Sequence, residues 1–242
     1  MTSRSLSYWK HNAPKIRKIV AGYMPIYRKV CERYPSMNFP ERFESLVQEQ
    51  VPNYVDEIPY HPGGRRNMFN SLMPVLAMMA SVHVVLRESG WTVDQIGRLS
   101  YEVFMAKFRR IPSPVRRIAR NFMVSRWFGK KMGSTCRAMK ESGRSDTFFL
   151  DYSFSSRPEA TTTMRCSQCG MISFMRRTGL TEMYDYCNIF DFAQADSFGM
   201  GLNQSECLGW GDGVCVYTMT RNSTATRYPR NVKRILGAAM DM

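Results

Sequence analysis

Apolar residues recur at helical spacing through the first part of the chain and give way, after about residue 146, to runs rich in aromatic and threonine residues. In 14-PKIRKIVAGYMPIYRKVCERY-34, Ile16, Ile19, Tyr23, Ile26, Tyr27 and Val30 share one face with Lys and Arg between them, which predicts a helix opened by Pro14 and kinked at Pro25. A short helix follows over 40–51, and the Pro- and Gly-rich 52-PNYVDEIPYHPGGRR-66 reads as a linker. Helices are then expected over 67–88, 92–109 and 113–141. Gly90 ends the first, Thr92 with Gln95 forms a capping box for the second, and Pro112 and Pro114 separate the second from the third. On that third helix Val115, Ile118, Ala119, Phe122, Met123 and Trp127 make an apolar stripe.

Beyond 146, the runs 147-TFFLDYSFS-155 and 161-TTTMRCSQC-169 read as strands and 170–179 and 181–198 as helices. The segments 202–210 and 213–220 form a hairpin turned at Asp212-Gly213. The order predicts an α+β fold with helices packed on an antiparallel sheet. The helix over 181–198 is expected on one face of that sheet, and the helices before 146 on its other side or edge. Two parts are expected: a helical, basic N-terminal arm over 1–60, suited to peripheral or intersubunit contacts in a homo-oligomer, and a single domain over 61–242.

At 242 residues with 44% hydrophobic content, the chain can bury a sizeable core, which excludes disordered and fibrous classes. The longest apolar run, 72-LMPVLAMMASVHVVL-86, is too short to span a bilayer, and the first residues lack the apolar block of a signal peptide. With seven cysteines, an odd number, the expectation is reduced thiols in a cytoplasmic protein.

The net charge of +14 is unevenly placed. Between Ser113 and Arg144 nine basic residues face one acid, Glu141, whereas 178–220 holds six carboxylates and no Lys or Arg. The basic stripe suits nucleic acid, anionic lipid or the cationic wall of a pocket. No nucleic-acid-binding motif accompanies it, and no nucleic-acid partner is expected. Basic helix and acidic segment are expected to form two walls of one cleft. A carboxylate-bearing small molecule would then sit against the cations.

The candidate chemistry lies in the thiols. Cys187 and Asp191, four apart in a predicted helix, share a face with Tyr184 and Ala195. Cys166 and Cys169 form a C-x-x-C at a strand end, and Cys215 lies within the last strand. The histidines His11, His61 and His83 all precede the sheet, and His83 is expected as a hydrogen-bonded core residue. A zinc site from Cys166, Cys169, Cys187 and Cys207 is an alternative, although a second C-x-x-C is lacking.

The succession Cys169, Gly179-Leu180, 187-CNIFD-191 and 201-GLNQSECLGWGDGVCVY-217 resembles the L-2-amino-thiazoline-4-carboxylic acid hydrolase family. The resemblance covers about 62–220, with specific motifs only over 166–217. Cys207 replaces a usual Thr, and Val216-Tyr217-Thr218 stands where an aromatic-Arg pair is usual. The resemblance implies hydrolysis of a C–N bond in a small cyclic amidine, without a cofactor. Cys187 is then the first choice of nucleophile and Asp191 the base, with Cys169 also catalytic. Cys166, Arg165, Arg176, Tyr184 and Cys215 would bind substrate, an Arg being needed because a neighbouring carboxylate raises a thiol's pKa. The arrangement is also similar to small-molecule-binding domains of the vinyl-4-reductase type, which implies a non-catalytic binding or sensory domain as the alternative.

Overall fold

The computed structural model describes residues 9, 12–61, 67–156, 159–222, 224 and 226–240. Among these the first helices are α1 (Ala13–Cys31), α2 (Phe43–Gln50), α3 (Pro52–Val55), α4 (Met68–Leu72), α5 (Pro74–Glu88) and α6 (Val93–Arg109). Pro25 lies inside α1, which continues past it. Pro74 occupies the first turn of α5 and divides the helix expected over 67–88. The capping box of α6 is formed: Gln95 N–H donates to the Thr92 hydroxyl at 3.2 Å, and Thr92 N–H to the Gln95 side chain at 2.9 Å.

The basic segment is two helices, α7 (Ser113–Met123) and α8 (Arg126–Glu141). Ser125 is extended and its hydroxyl accepts from Phe128 N–H, starting a new helix where a single one was expected. The apolar stripe is divided: Phe122 and Met123 pack against the core and the rest does not. Helix α7 has no buried residue, and Val115, Ile118 and Trp127 are exposed.

The second part consists of β1 (Phe149–Ser155), β2 (Thr161–Gln168), α9 (Gly170–Arg177), α10 (Ile189–Phe198), β3 (Gly201–Glu206), β4 (Cys215–Thr220) and α11 (Arg230–Leu236). Short 3-10 turns span Thr181–Tyr186 and Leu208–Trp210. The four strands form one antiparallel sheet in the order β1-β2-β4-β3, so the fold is α+β with 149–155 and 215–220 in the same sheet. The hairpin β3/β4 closes through a longer loop than Asp212-Gly213 alone, in which Asp212 accepts the Cys207 N–H at 2.8 Å.

Register and two-residue periodicity decide which side chains face the helices. Leu150, Cys166 and Cys215 are cross-strand partners, as are Tyr152, Met164 and Tyr217, and these turn toward the helical layer. Their neighbours Asp151, Ser153, Arg165 and Ser167 are exposed. All the helices that reach the sheet's cavity therefore lie on one face; of the early helices, expected on the other side or edge, α8 packs along the edge strand β1, its Phe128 edge-on to Tyr152. Beyond the sheet, Phe190 of α10 packs edge-on to Phe104 and Phe108 of α6, and Phe104 in turn meets Tyr23 of α1.

Residues 12–60 are integral to this packing rather than a peripheral arm. Ile16, Val20 and Tyr27 of α1 and Val47 of α2 are fully buried in one apolar cluster with α5 and α6. Burying four such side chains contributes roughly 6–12 kcal/mol of transfer free energy. The linker expected over 52–66 contains α3 at its start, and its 62–66 portion lies outside the described residues.

Candidate functional site: a thiol-lined cavity

The inward face of β1, β2 and β4 forms the floor of a cavity of about 130 Å³. Leu150, Met164, Cys166, Cys215 and Tyr217 rise from the strands. Leu72, Met73, Leu76 and Met79 close it from α4 and α5, and Cys169, Met171 and Ile172 from the start of α9. Cys187, Phe190 and Asp191 complete the wall. An engineered cavity of roughly 150 Å³ accepts benzene, so this space matches one five- or six-membered ring.

Cys187 and Asp191 do not share one helix. The 3-10 turn ends at Tyr186, and Asn188 precedes α10. The buried Asn188 amide donates to Gln204 of β3 at 2.6 Å, while Asn231 of α11 donates to Asp185 O at 2.6 Å. These polar contacts stabilise the break. Cys187 and Asn188 keep nearly helical backbone angles, so the four-residue spacing still carries Cys187 and Asp191 to the same cavity.

The thiols form two linked groups. Cys187 Sγ and Cys215 Sγ approach Cys207 Sγ at 3.7 and 3.8 Å, and Cys207 is sealed from solvent. Their S–H groups donated to Cys207 push its pKa down. The same contact, together with burial, pushes Cys187 up. In the other group Cys169 is the residue immediately before α9. The Cys166 thiol donates to Gln168 O at 3.0 Å, and its proximity, with the N–H groups of Ile172 and Met171, lowers the Cys169 pKa against the opposing effect of burial. Backbone donors at a helix N-terminus favour a thiolate. Of the four thiols that line the cavity, Cys169 is the one whose surroundings favour the ionised form.

Burial pushes Asp191 up to about 7, opposed by a hydrogen bond with Tyr217. Near neutral pH this carboxyl is poised between donor and acceptor. Among the described residues, no three His, Cys, Asp or Glu side chains are arranged to hold a metal ion.

The expected cations are elsewhere. Arg165 follows the outward phase of β2 because its neighbour Cys166 points inward, and Arg176 is exposed on α9. Tyr184, within the 3-10 turn, packs against the core without lining the cavity. No Lys, Arg or His lines the cavity among the described residues. A substrate carboxylate buried there would lack a counter-charge, contrary to the expected carboxylate-binding wall. Basic and acidic segments do meet, yet not as a cleft: Arg116 donates to Ser197 O at 2.6 Å and Arg120 to Gly199 O at 3.3 Å, capping the end of α10.

Three of the other acids have partners away from the cavity. Glu182 pairs with Arg87, and Asp185 with Arg234. Asp196 accepts from the hydroxyls of Tyr101 and Tyr228. His83, expected in the core, is buried, with Nδ1 2.7 Å from the Tyr186 hydroxyl. His11 lies outside the described residues. Sequence reasoning missed Tyr217 as the partner of Asp191 and the contribution of Leu72–Met79. The alternation of Cys215 and Tyr217 along β4 was the available signal for the first.

No family model, curated protein or solved structure matches this chain.

Proposed function

We propose that the cavity takes a small neutral or cationic ring and that its chemistry is opening of a carbon–nitrogen bond in a cyclic amidine. The observation that carries this reading is the pairing of Cys169, before α9, with the protonatable Asp191 on the wall of one apolar cavity. An amidinium hydrogen-bonds well to a carboxylate. The Cys169 sulfur bonds to the amidinium carbon. The C=N electron pair moves to nitrogen as the sulfur adds; Asp191 takes a proton from the exocyclic nitrogen and passes it to the ring nitrogen as the carbon–nitrogen bond breaks, and later takes one from the water whose oxygen displaces the sulfur as a thiolate. Cys187, with its thiol pushed up, serves as a wall residue and hydrogen-bond donor to Cys207 in this scheme.

The test is turnover of 2-amino-thiazoline-4-carboxylate and of 2-aminothiazoline, which lacks the carboxylate. The second compound is expected to be the better substrate. Cys169→Ser and Asp191→Asn are expected to lower turnover by about 10² or more, and Cys187→Ser far less. A second reading, a binding or sensory domain, is favoured by the apolar lining without a cation. It takes precedence if the wild-type chain binds such rings, by calorimetry, and converts none.

A further inference from the structure

Helix α7 is turned with two of its three cations, Arg116 and Arg120, inward and part of its apolar face outward. Arg116 and Arg120, one turn apart, reach into the protein to the last carbonyls of α10. Val115 and Ile118 point away, 50% and 68% exposed, and Trp127 at the start of α8 is 61% exposed. Phe122 links them, its ring centroid 4.9 Å from that of Trp127. An amphipathic helix of a water-soluble fold ordinarily does the reverse. Trp127 is in turn covered on one side by Lys131, whose ammonium lies 5.4 Å from the ring centroid.

The charged residues of the segment that carries this patch are all cationic. From Lys107 to Lys140 there are eleven Lys and Arg residues and no Asp or Glu. Arg109, Arg110, Arg117, Arg126, Lys130 and Lys131 are exposed. We propose that this face docks on an anionic lipid bilayer, with Val115, Ile118 and Trp127 entering the headgroup boundary and the cations lying against lipid phosphates. Tryptophan prefers that boundary, and each Lys or Arg near an anionic surface adds about 1 kcal/mol of attraction.

Other occupants fit the chemistry less well. A second copy of the chain would bring like-charged faces together, and so few apolar side chains fall short of the roughly 800 Å² per partner that a stable protein interface buries. A nucleic-acid backbone would satisfy the cations and leave Val115 and Ile118 without a role. Interfacial binding uses both the apolar wedge and the charge.

Co-sedimentation of the full chain tests the proposal, using vesicles of phosphatidylcholine alone and of phosphatidylcholine mixed with phosphatidylglycerol. The chain is expected to pellet with the anionic vesicles only, and less so as salt rises. Ile118→Glu, at an exposed position, is expected to keep the far-ultraviolet circular dichroism and to lower the vesicle partition coefficient about tenfold or more. Tryptophan emission is expected to shift to the blue on binding in the wild-type chain and not in Trp127→Phe. The proposal is overturned if the wild-type chain stays in the supernatant with anionic vesicles or if Ile118→Glu pellets as the wild type does. It is equally overturned if the chain without lipid is a dimer that Ile118→Glu dissociates.

Discussion

The Cys187 thiol stands 3.7 Å from that of Cys207, with Cys187 on the cavity wall and Cys207 sealed behind it. The contact is the largest cause of the upward push on Cys187. Cys207→Ala removes it, so Cys187 is expected to be alkylated faster by iodoacetamide near neutral pH, followed by mass spectrometry of the peptide carrying it. Unchanged labelling would place the cause in burial alone.

Asp191 determines one part of the pH dependence of stability. Its folded pKa of about 7 lies above the unfolded value, so the native state holds the proton more tightly. Stability from this group is fully present below about pH 4, falls as pH rises toward 7 and is level above it, a loss on the order of 4 kcal/mol. Asp191→Asn is expected to flatten that fall. Urea denaturation of both proteins at acidic and neutral pH measures the difference.

His61 acts in the opposite sense. Its ring is fully buried beside Phe69 and Phe148, neither ring nitrogen has a hydrogen-bond partner among the described residues, and burial pushes its pKa down to about 4. The unfolded chain therefore binds the proton first. Stability is retained above about pH 6.5 and lost as pH falls toward 4. His61→Leu is expected to reduce this acid loss, read as a smaller drop in urea midpoint between neutral and acidic buffer.

Gly209 gives a steric handle on the thiols. A Cβ there would lie 3.2 Å from both Cys187 Sγ and the Tyr184 carbonyl oxygen. Gly209→Ala is expected to displace the Cys187 side chain and cost about 1–3 kcal/mol, as overpacking does elsewhere. Denaturation gives the energy, and altered iodoacetamide labelling of Cys187 gives the displacement. A variant with wild-type values in both would show that the loop yields freely.

Much of the secondary structure follows from local signals. Thr92 with Gln95 starts α6 because both halves of the capping box lie within four residues, and the alternation in β2 and β4 follows the two-residue period of a strand. The break at Val124–Ser125 and the one at Cys187–Asn188 were not legible in the same way. In the second, the contacts that favour the break come from Gln204 and Asn231, far along the chain.

For the site, sequence by itself determined the thiols, the carboxylate and the four-residue spacing of Cys187 and Asp191. The two-residue period of β2 puts Arg165 and Cys166 on opposite faces, so both could not bind substrate as expected, and the structure turns Cys166 inward. Only the tertiary structure decided which thiol faces which neighbour: the lowered pKa of Cys169 depends on Cys166 and the first amides of α9, and the raised one of Cys187 on Cys207, twenty residues on. It also decided that α7 turns Ile118 to the outside, since a helical pattern records which residues share a face and leaves open which face the rest of the chain covers. Burial and counter-charge are sums over neighbours brought together by folding, and no local pattern contains them.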